Sequence, residues 1–267
     1  MANQTSRSQL VLFVVVSYSI LWFLFVIGKF FEIPFTYDPR KLGGLLVLAG
    51  VPASSIGAAI AVLMVNGSGG LHQLLKRSFQ WRFNPIWYIA AISTPLLIAA
   101  ASTITSIWIA DIETPNNWFA PSMPLGVMVF ILIYDGLGEE IGWRGFALPE
   151  LQKRLGSLGG SIMVGILWAL WHLPLFFTPG SNQYGDSLIP YLYVLTCWTI
   201  VMALFVGKAR GSILPGILIH ESANFVSFAF HYPRHYVLFF WGIAALIAIV
   251  FLPKPLIKFG NNAEANP

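Results

Sequence analysis

The run LGVMVFILIYDGLGEEIGWRGFAL, residues 125–148, settles what kind of protein this is. It exceeds the roughly 20 residues that carry a helix across a hydrocarbon core, and its first half is almost purely apolar. The residues after Tyr134 nevertheless include Asp135, Glu139, Glu140 and Arg144. A charge at mid-bilayer costs about 2.5–3.5 kcal/mol on insertion scales, so such residues turn inward, pair with one another and mark function. On a helix Glu140 and Arg144 are four apart and share a face, whereas Glu139 is turned from Glu140 by about 100°. One carboxylate has a built-in cation and its neighbour has none, and that asymmetry is the first sign of chemistry.

The same character extends through all 267 residues, of which 57% are hydrophobic and only 10% charged; soluble domains carry about 25% charged residues. A mean hydropathy of +0.72 agrees. The composition predicts an all-α, polytopic transmembrane bundle of about eight helices, over residues 10–28, 43–65, 86–110, 125–148, 161–177, 188–206, 212–230 and 236–252. Little chain is left for a soluble domain, so residues 1–267 read as a single integral membrane domain. The net charge of +4 is scattered between apolar windows without a run or stripe, which excludes nucleic acid as a partner. A lone Cys197 excludes an internal disulfide framework and a cysteine-based zinc site. The first window is longer than a signal-peptide core and lacks an A-x-A-like cleavage site, so it is expected to be a retained span.

Between the second and third windows, residues 71–83 mix leucines and aromatics with Lys76, Arg77 and Arg82, the pattern of an interfacial amphipathic segment. Small residues four apart (Ala53 with Gly57, Ser54 with Ala58) and the pair Gly138 and Gly142 predict close helix contacts. Pro52, Pro95 and Pro215 predict kinks, His231 and His235 fall in a solvated turn, and the polar tail 261–267 is expected to fray.

Basic residues place both termini in the cytoplasm of a multi-pass cell-membrane protein. Ten then lie inside (Arg7; Lys76, Arg77, Arg82; Lys153, Arg154; Lys208, Arg210; Lys254, Lys258) and four outside (Lys29, Arg40, Lys41, Arg234). At 1.5 Å per residue, Glu140 lies about 20 Å from the nearest cytoplasmic helix end, His172 about 17 Å and His220 about 15 Å. Three separate helices thus bring polar residues to one layer, and a functional site inside the membrane is expected there.

The second element of that layer is Trp168-Ala-Leu-Trp171-His172-Leu-Pro174 and the third is His220-Glu221-Ser222-Ala223-Asn224. Trp168 with His172, and His220 with Asn224, share helix faces at a spacing of four. One such imidazole or ion pair alone is commonly a structural hydrogen-bond partner. Together they supply a base, a group to orient it and donors for an oxyanion. Asp135, one turn before Glu139, reads either as a supporting acid or as a polar lining residue. His220-Glu221 opens like the zinc motif H-E-x-x-H, but Asn224 occupies the fifth position and is a poor zinc ligand; a site would have to gather Glu139, His172 and His220 from three helices. No cofactor is expected, and zinc stays open.

E-E-x-x-x-R (Glu139, Glu140, Arg144), the W-H-L-P helix carrying His172 and H-x-x-x-N (His220, Asn224) resemble the three motifs of the CPBP intramembrane proteases. That family, also called Abi, includes type II CAAX prenyl proteases and proteins of bacteriocin processing or self-immunity. The likeness spans about residues 135–225, with the flanks G-W-R-G-F-A-L-P and A-L-W-H-L-P-L-F. One departure is Trp168, where the family more often has Phe. The resemblance implies a glutamate-dependent endopeptidase acting on a membrane-associated or leader peptide. Glu139 and His172 would activate water, His220 and Asn224 would stabilise the oxyanion, and Glu140, Arg144 and Trp168 would support the site. A catalytically silent immunity or scaffold protein is the alternative. A proton-coupled transporter is disfavoured because no two-fold repeat is detectable.

Overall fold

A computed structural model describes residues 2–254, with side chains from residue 7 onward; Lys258 and the tail 261–267 lie outside the described residues. All eight predicted windows are helical, and no strand forms among the described residues. The helices are α1 (Ala2–Phe30), α2 (Leu42–Gly50), α3 (Ala53–Ser78), α4 (Ile86–Ala110), α5 (Leu125–Glu140), α6 (Leu148–Trp171), α7 (Leu188–Lys208), α8 (Leu214–Ala229) and α9 (Val237–Phe251). A π-helical turn, Ile141–Ala147, joins α5 to α6, and a 3-10 turn, Leu173–Phe177, follows α6.

By length and composition, five continuous helical stretches can cross a membrane, fewer than the eight windows. Two facts account for the difference. The stretch Leu125–Phe177 carries two windows, and α8 and α9, at 16 and 15 residues, are short. The two windows separate at Gly156, whose φ of 73° is a left-handed conformation open to glycine. The chain folds back there: Gln152 Nε2 donates to Ser161 Oγ at 3.3 Å, although residues nine apart on a straight helix stand about 13 Å apart along its axis. The chain is a multi-pass membrane protein.

α3 breaks in the same way at Gly67 (φ 65°), so the amphipathic segment is its own short arm. Its Leu74 is buried, and the Arg77 guanidinium donates to the Gly145 carbonyl. The arm therefore docks on the π-turn as well as presenting a charged face. The proline expectations divide. Pro52 ends α2 and precedes α3, Pro95 sits within a continuous α4, and Pro215 falls in the first turn of α8, where its missing N–H costs nothing and no kink results.

The core is aromatic. Trp143, Trp168, Trp171 and Phe13 are fully buried; Trp143 packs edge-on against Phe13 and Trp171 at 5.1 and 6.0 Å between ring centroids, and so belongs to the core and not the lipid face. Cys197 is buried in α7, while His231 and His235 are exposed as expected. The loop before α5 runs beside the end of α8, with Ala120 N–H donating to the Ala229 carbonyl at 3.0 Å and Ser122 N–H to that of Phe228 at 2.9 Å.

Candidate active site

Glycine lets the carboxylate-bearing helix approach α3 closely. A Cβ on Gly142 would lie 2.5 Å from the Ser54 carbonyl, and one on Gly138 would lie 2.6 Å from Val51 Cγ1. At that contact Ser54 Oγ donates to the Glu139 carbonyl at 3.0 Å and Ser55 Oγ to that of Gly138 at 2.6 Å. These hydroxyls serve carbonyls just ahead of the π-turn, where the i to i−4 register changes; such turns frequently occur at functional sites. The small-residue spacing of the sequence thus becomes a fixed platform for residues 139 and 140.

The two glutamates leave this platform in different directions. Glu140 is completely buried and accepts from Arg144 Nη1 at 2.8 Å. The same Oε1 lies 3.0 Å from His220 Nδ1. Arg144 also donates to Thr199 Oγ1 at 3.2 Å and lies with its guanidinium carbon 3.9 Å from the Trp168 ring centroid. α5, the π-turn, α6, α7 and α8 are tied together at this point.

Glu139 faces a cavity of about 870 Å3, whose wall also includes Asp135, Trp168, His172, His220 and Asn224; Glu140 and Arg144 do not line it. The expectation that Glu139 has no partner needs correction. Trp168 Nε1 donates to its Oε2 at 2.6 Å, and His172 Nε2 stands 3.8 Å from its Oε1. His172 Nδ1 is 2.8 Å from the Trp168 carbonyl. A carbonyl only accepts, so Nδ1 carries a proton and Nε2 is the ring nitrogen that faces Glu139. At 3.8 Å the two are beyond direct hydrogen-bond distance, and a water can bridge them from the cavity.

On the opposite part of the wall, Asn224 Nδ2 donates to Asp135 Oδ2 at 3.3 Å, and His220 Nε2 lies 3.9 Å from the same oxygen. The sequence left Asp135 between two roles, and here it is the common partner of His220 and Asn224. The sequence assigned no role to Glu221 and missed Thr199. Glu221 Oε1 lies 3.6 Å from His220 Nδ1 and neither of its oxygens has a hydrogen bond; its position inside an apolar window was the available signal. Thr199 gave no signal, being one hydroxyl in a long apolar helix. The Trp168 donor was hidden too, since sequence shows the ring and not where its N–H points.

The cluster of candidate metal ligands differs from the set weighed for zinc in the sequence. Among the described residues, the acidic and imidazole ligands gathered within 4.8 Å of one another are Asp135, His220 and Glu221; Glu139 and His172 fall outside that group. Glu139, His172 and His220 do not assemble as a three-ligand site, because His220 Nδ1 is engaged by Glu140 and its Nε2 faces Asp135.

Residues 121–226, which hold every one of these side chains, match the model of the type II CAAX prenyl endopeptidase Rce1-like family. The chain is also 27% identical over 221 residues to CAAX prenyl protease 2 of Methanococcus maripaludis, covering 79% of each protein. The motifs and these matches agree: over residues 121–226 the chain is similar to the Rce1-like type II CAAX prenyl endopeptidases.

Proposed function

We propose that this protein is a glutamate-dependent endopeptidase that hydrolyses a peptide bond near the C-terminus of a membrane-anchored, CAAX-type substrate. The match of residues 121–226 to an endopeptidase family model supports the reaction class, and the relative's name supports the substrate class. The observation that carries the mechanism is the pair Glu139 and His172, facing each other across 3.8 Å on the cavity wall.

A water bridging the pair from the cavity side donates one hydrogen bond to Glu139 Oε1 and the other to His172 Nε2. Glu139 takes a proton as the water oxygen bonds to the scissile carbonyl carbon. The carbonyl oxygen becomes an oxyanion, held by Asn224 Nδ2 and by His220 Nε2–H, while His220 Nδ1–H stays on Glu140 and that carboxylate balances the imidazolium. Collapse breaks the C–N bond, and the proton held by Glu139 passes to the leaving amine. Glu140 and Arg144 position this apparatus without touching the substrate. No step calls for a metal.

The test is single-turnover cleavage of matched prenylated and unprenylated peptides by wild-type protein and Glu139→Gln in detergent or nanodiscs. Peptide binding without turnover in Glu139→Gln is the expected result. Full activity in that variant would end the mechanism, and a wild-type protein that binds peptide without cutting it would favour the scaffold reading. We place both termini in the cytoplasm, on the distribution of basic residues. Ser181, a natural choice for external labelling, is buried, so exposed Asn84 and Asn117 serve instead. Cysteine at Asn84 should label only from the cytoplasmic side and at Asn117 only from outside; equal sidedness would overturn this topology.

A further inference from the structure

We propose that Asp135 is a positioning residue whose carboxylate occupies, in the resting protein, the place the substrate's carbonyl oxygen takes during cleavage. The inference rests on the hydrolytic reading above and adds a residue to it. Asn224 Nδ2 and His220 Nε2, the two groups assigned to the oxyanion, approach one oxygen, Asp135 Oδ2, at 3.3 and 3.9 Å. A carboxylate oxygen resembles an oxyanion in charge and in the hydrogen bonds it accepts. Two donors on successive turns of α8 that converge on such an oxygen are already arranged for the transition state.

A purely structural brace would be sealed among its partners, as Glu140 is. Asp135 instead keeps 21% of its side chain exposed and lies on the cavity wall with Glu139, His172, His220 and Asn224. It also sits one turn before Glu139 on α5, so its backbone is fixed and only its side chain needs to rotate to release the donors. The carboxylate keeps His220 and Asn224 aimed at one point while the cavity is empty. The cost falls at the transition state, where the charge of an ionised Asp135 beside a negative oxyanion opposes the charge that the site must stabilise.

That opposition supplies the test. A peptide phosphinate, with PO2–CH2 replacing the scissile CO–NH, places an anionic oxygen between His220 and Asn224. The ketomethylene analogue of the same peptide places a neutral carbonyl oxygen there. Asp135→Asn should tighten phosphinate inhibition about tenfold by removing a like charge at contact distance, and change ketomethylene inhibition by less than about threefold on the same reasoning. Asp135→Ala, which adds no new donor, should show the same split and provides a second measurement if the first variant folds poorly. In an Asn224→Ala background the phosphinate gain should shrink, because half of the oxyanion site is gone. Equal shifts for the two inhibitors would make Asp135 a structural brace and overturn the proposal. Weaker phosphinate binding in Asp135→Asn would overturn it as well, since Asp135 would then be donating a proton to the oxyanion. Failure here is separable from failure of the functional reading: an active Glu139→Gln removes the hydrolytic mechanism, whereas an inert Glu139→Gln combined with equal inhibitor shifts removes only the role of Asp135.

Discussion

Glu139 and Glu140 are adjacent, identical in chemistry and both buried, yet they belong to two different regions of the molecule. The Glu140 region is a lock: carboxylate, Arg144, Thr199 and His220 join elements of the bundle behind the cavity wall. The Glu139 region is an opening, where a carboxylate oriented by Trp168 faces His172 on the cavity wall. A rotation of about 100° along one helix separates the roles. Access to the cavity and the absence of a contacting guanidinium therefore set Glu139, the proposed catalytic carboxylate, apart from Glu140.

The largest expected effect tests the open region. Glu139→Gln keeps shape and hydrogen-bonding capacity but cannot take the water's proton, so turnover should fall about 10^3-fold, within the range for loss of a general base. Peptide affinity and melting should stay near those of the wild type. Glu140→Gln should show the reverse emphasis, with reduced melting and partial activity. A result in which Glu139→Gln is active and Glu140→Gln is inert would exchange the two regions.

Next comes the lock. Removing one member of a buried ion pair typically costs about 3–5 kcal/mol, because the other charge is left without compensation. Arg144→Leu also removes the cation above the Trp168 ring and the Thr199 hydrogen bond. Lower thermal stability in detergent together with lower activity is expected. Unchanged melting with total loss of activity would turn Arg144 into a group that contacts substrate.

The link between the two regions is Trp168, which touches Arg144 with its ring and Glu139 with its Nε1. Trp168→Phe keeps the aromatic face, and Phe is the residue more common in the resembling family, but it deletes the donor. Hydrogen bonds to charged groups contribute about 1.5–3 kcal/mol, so turnover should fall roughly 10- to 100-fold with little change in melting. An unaffected turnover would show that His172 and the backbone of α5 orient Glu139 by themselves.

These roles were unevenly legible in the sequence. His172, His220 and Asn224 were readable because each is a polar residue at helical spacing in an apolar window, and all three line one cavity. The eight helices were readable from the windows, but the reversals at Gly67 and Gly156 were not, since the window boundaries alone do not give the turn geometry. The meeting of Asp135 with His220 and Asn224 depends on how α5 packs against α8, and no spacing within either helix encodes that. Nor does shared depth specify which ring nitrogen points where.

The smallest expected effect calibrates the comparison with an ion pair outside the bundle. In the loop between α1 and α2, Arg40 Nε and Nη2 donate to the two oxygens of Asp38 at 2.9 Å each, a geometry as good as that of Glu140 and Arg144. The Arg40 guanidinium that donates to it holds the Asp38 carboxyl down from its ordinary 3.8 to about 2. A carboxyl lowered on folding adds stability above its unfolded value and loses it as pH falls through the folded one, so any contribution is present at neutral pH and fades between about 3.8 and 2. Arg40 is 86% exposed, however, and solvent screens an exposed pair until little remains to measure. Asp38→Asn should therefore leave melting at pH 7 unresolved from the wild type while Arg144→Leu lowers it. If the two substitutions cost the same, burial would not be what gives the Glu140 region its weight, and the division between lock and opening would have to rest on cavity access alone.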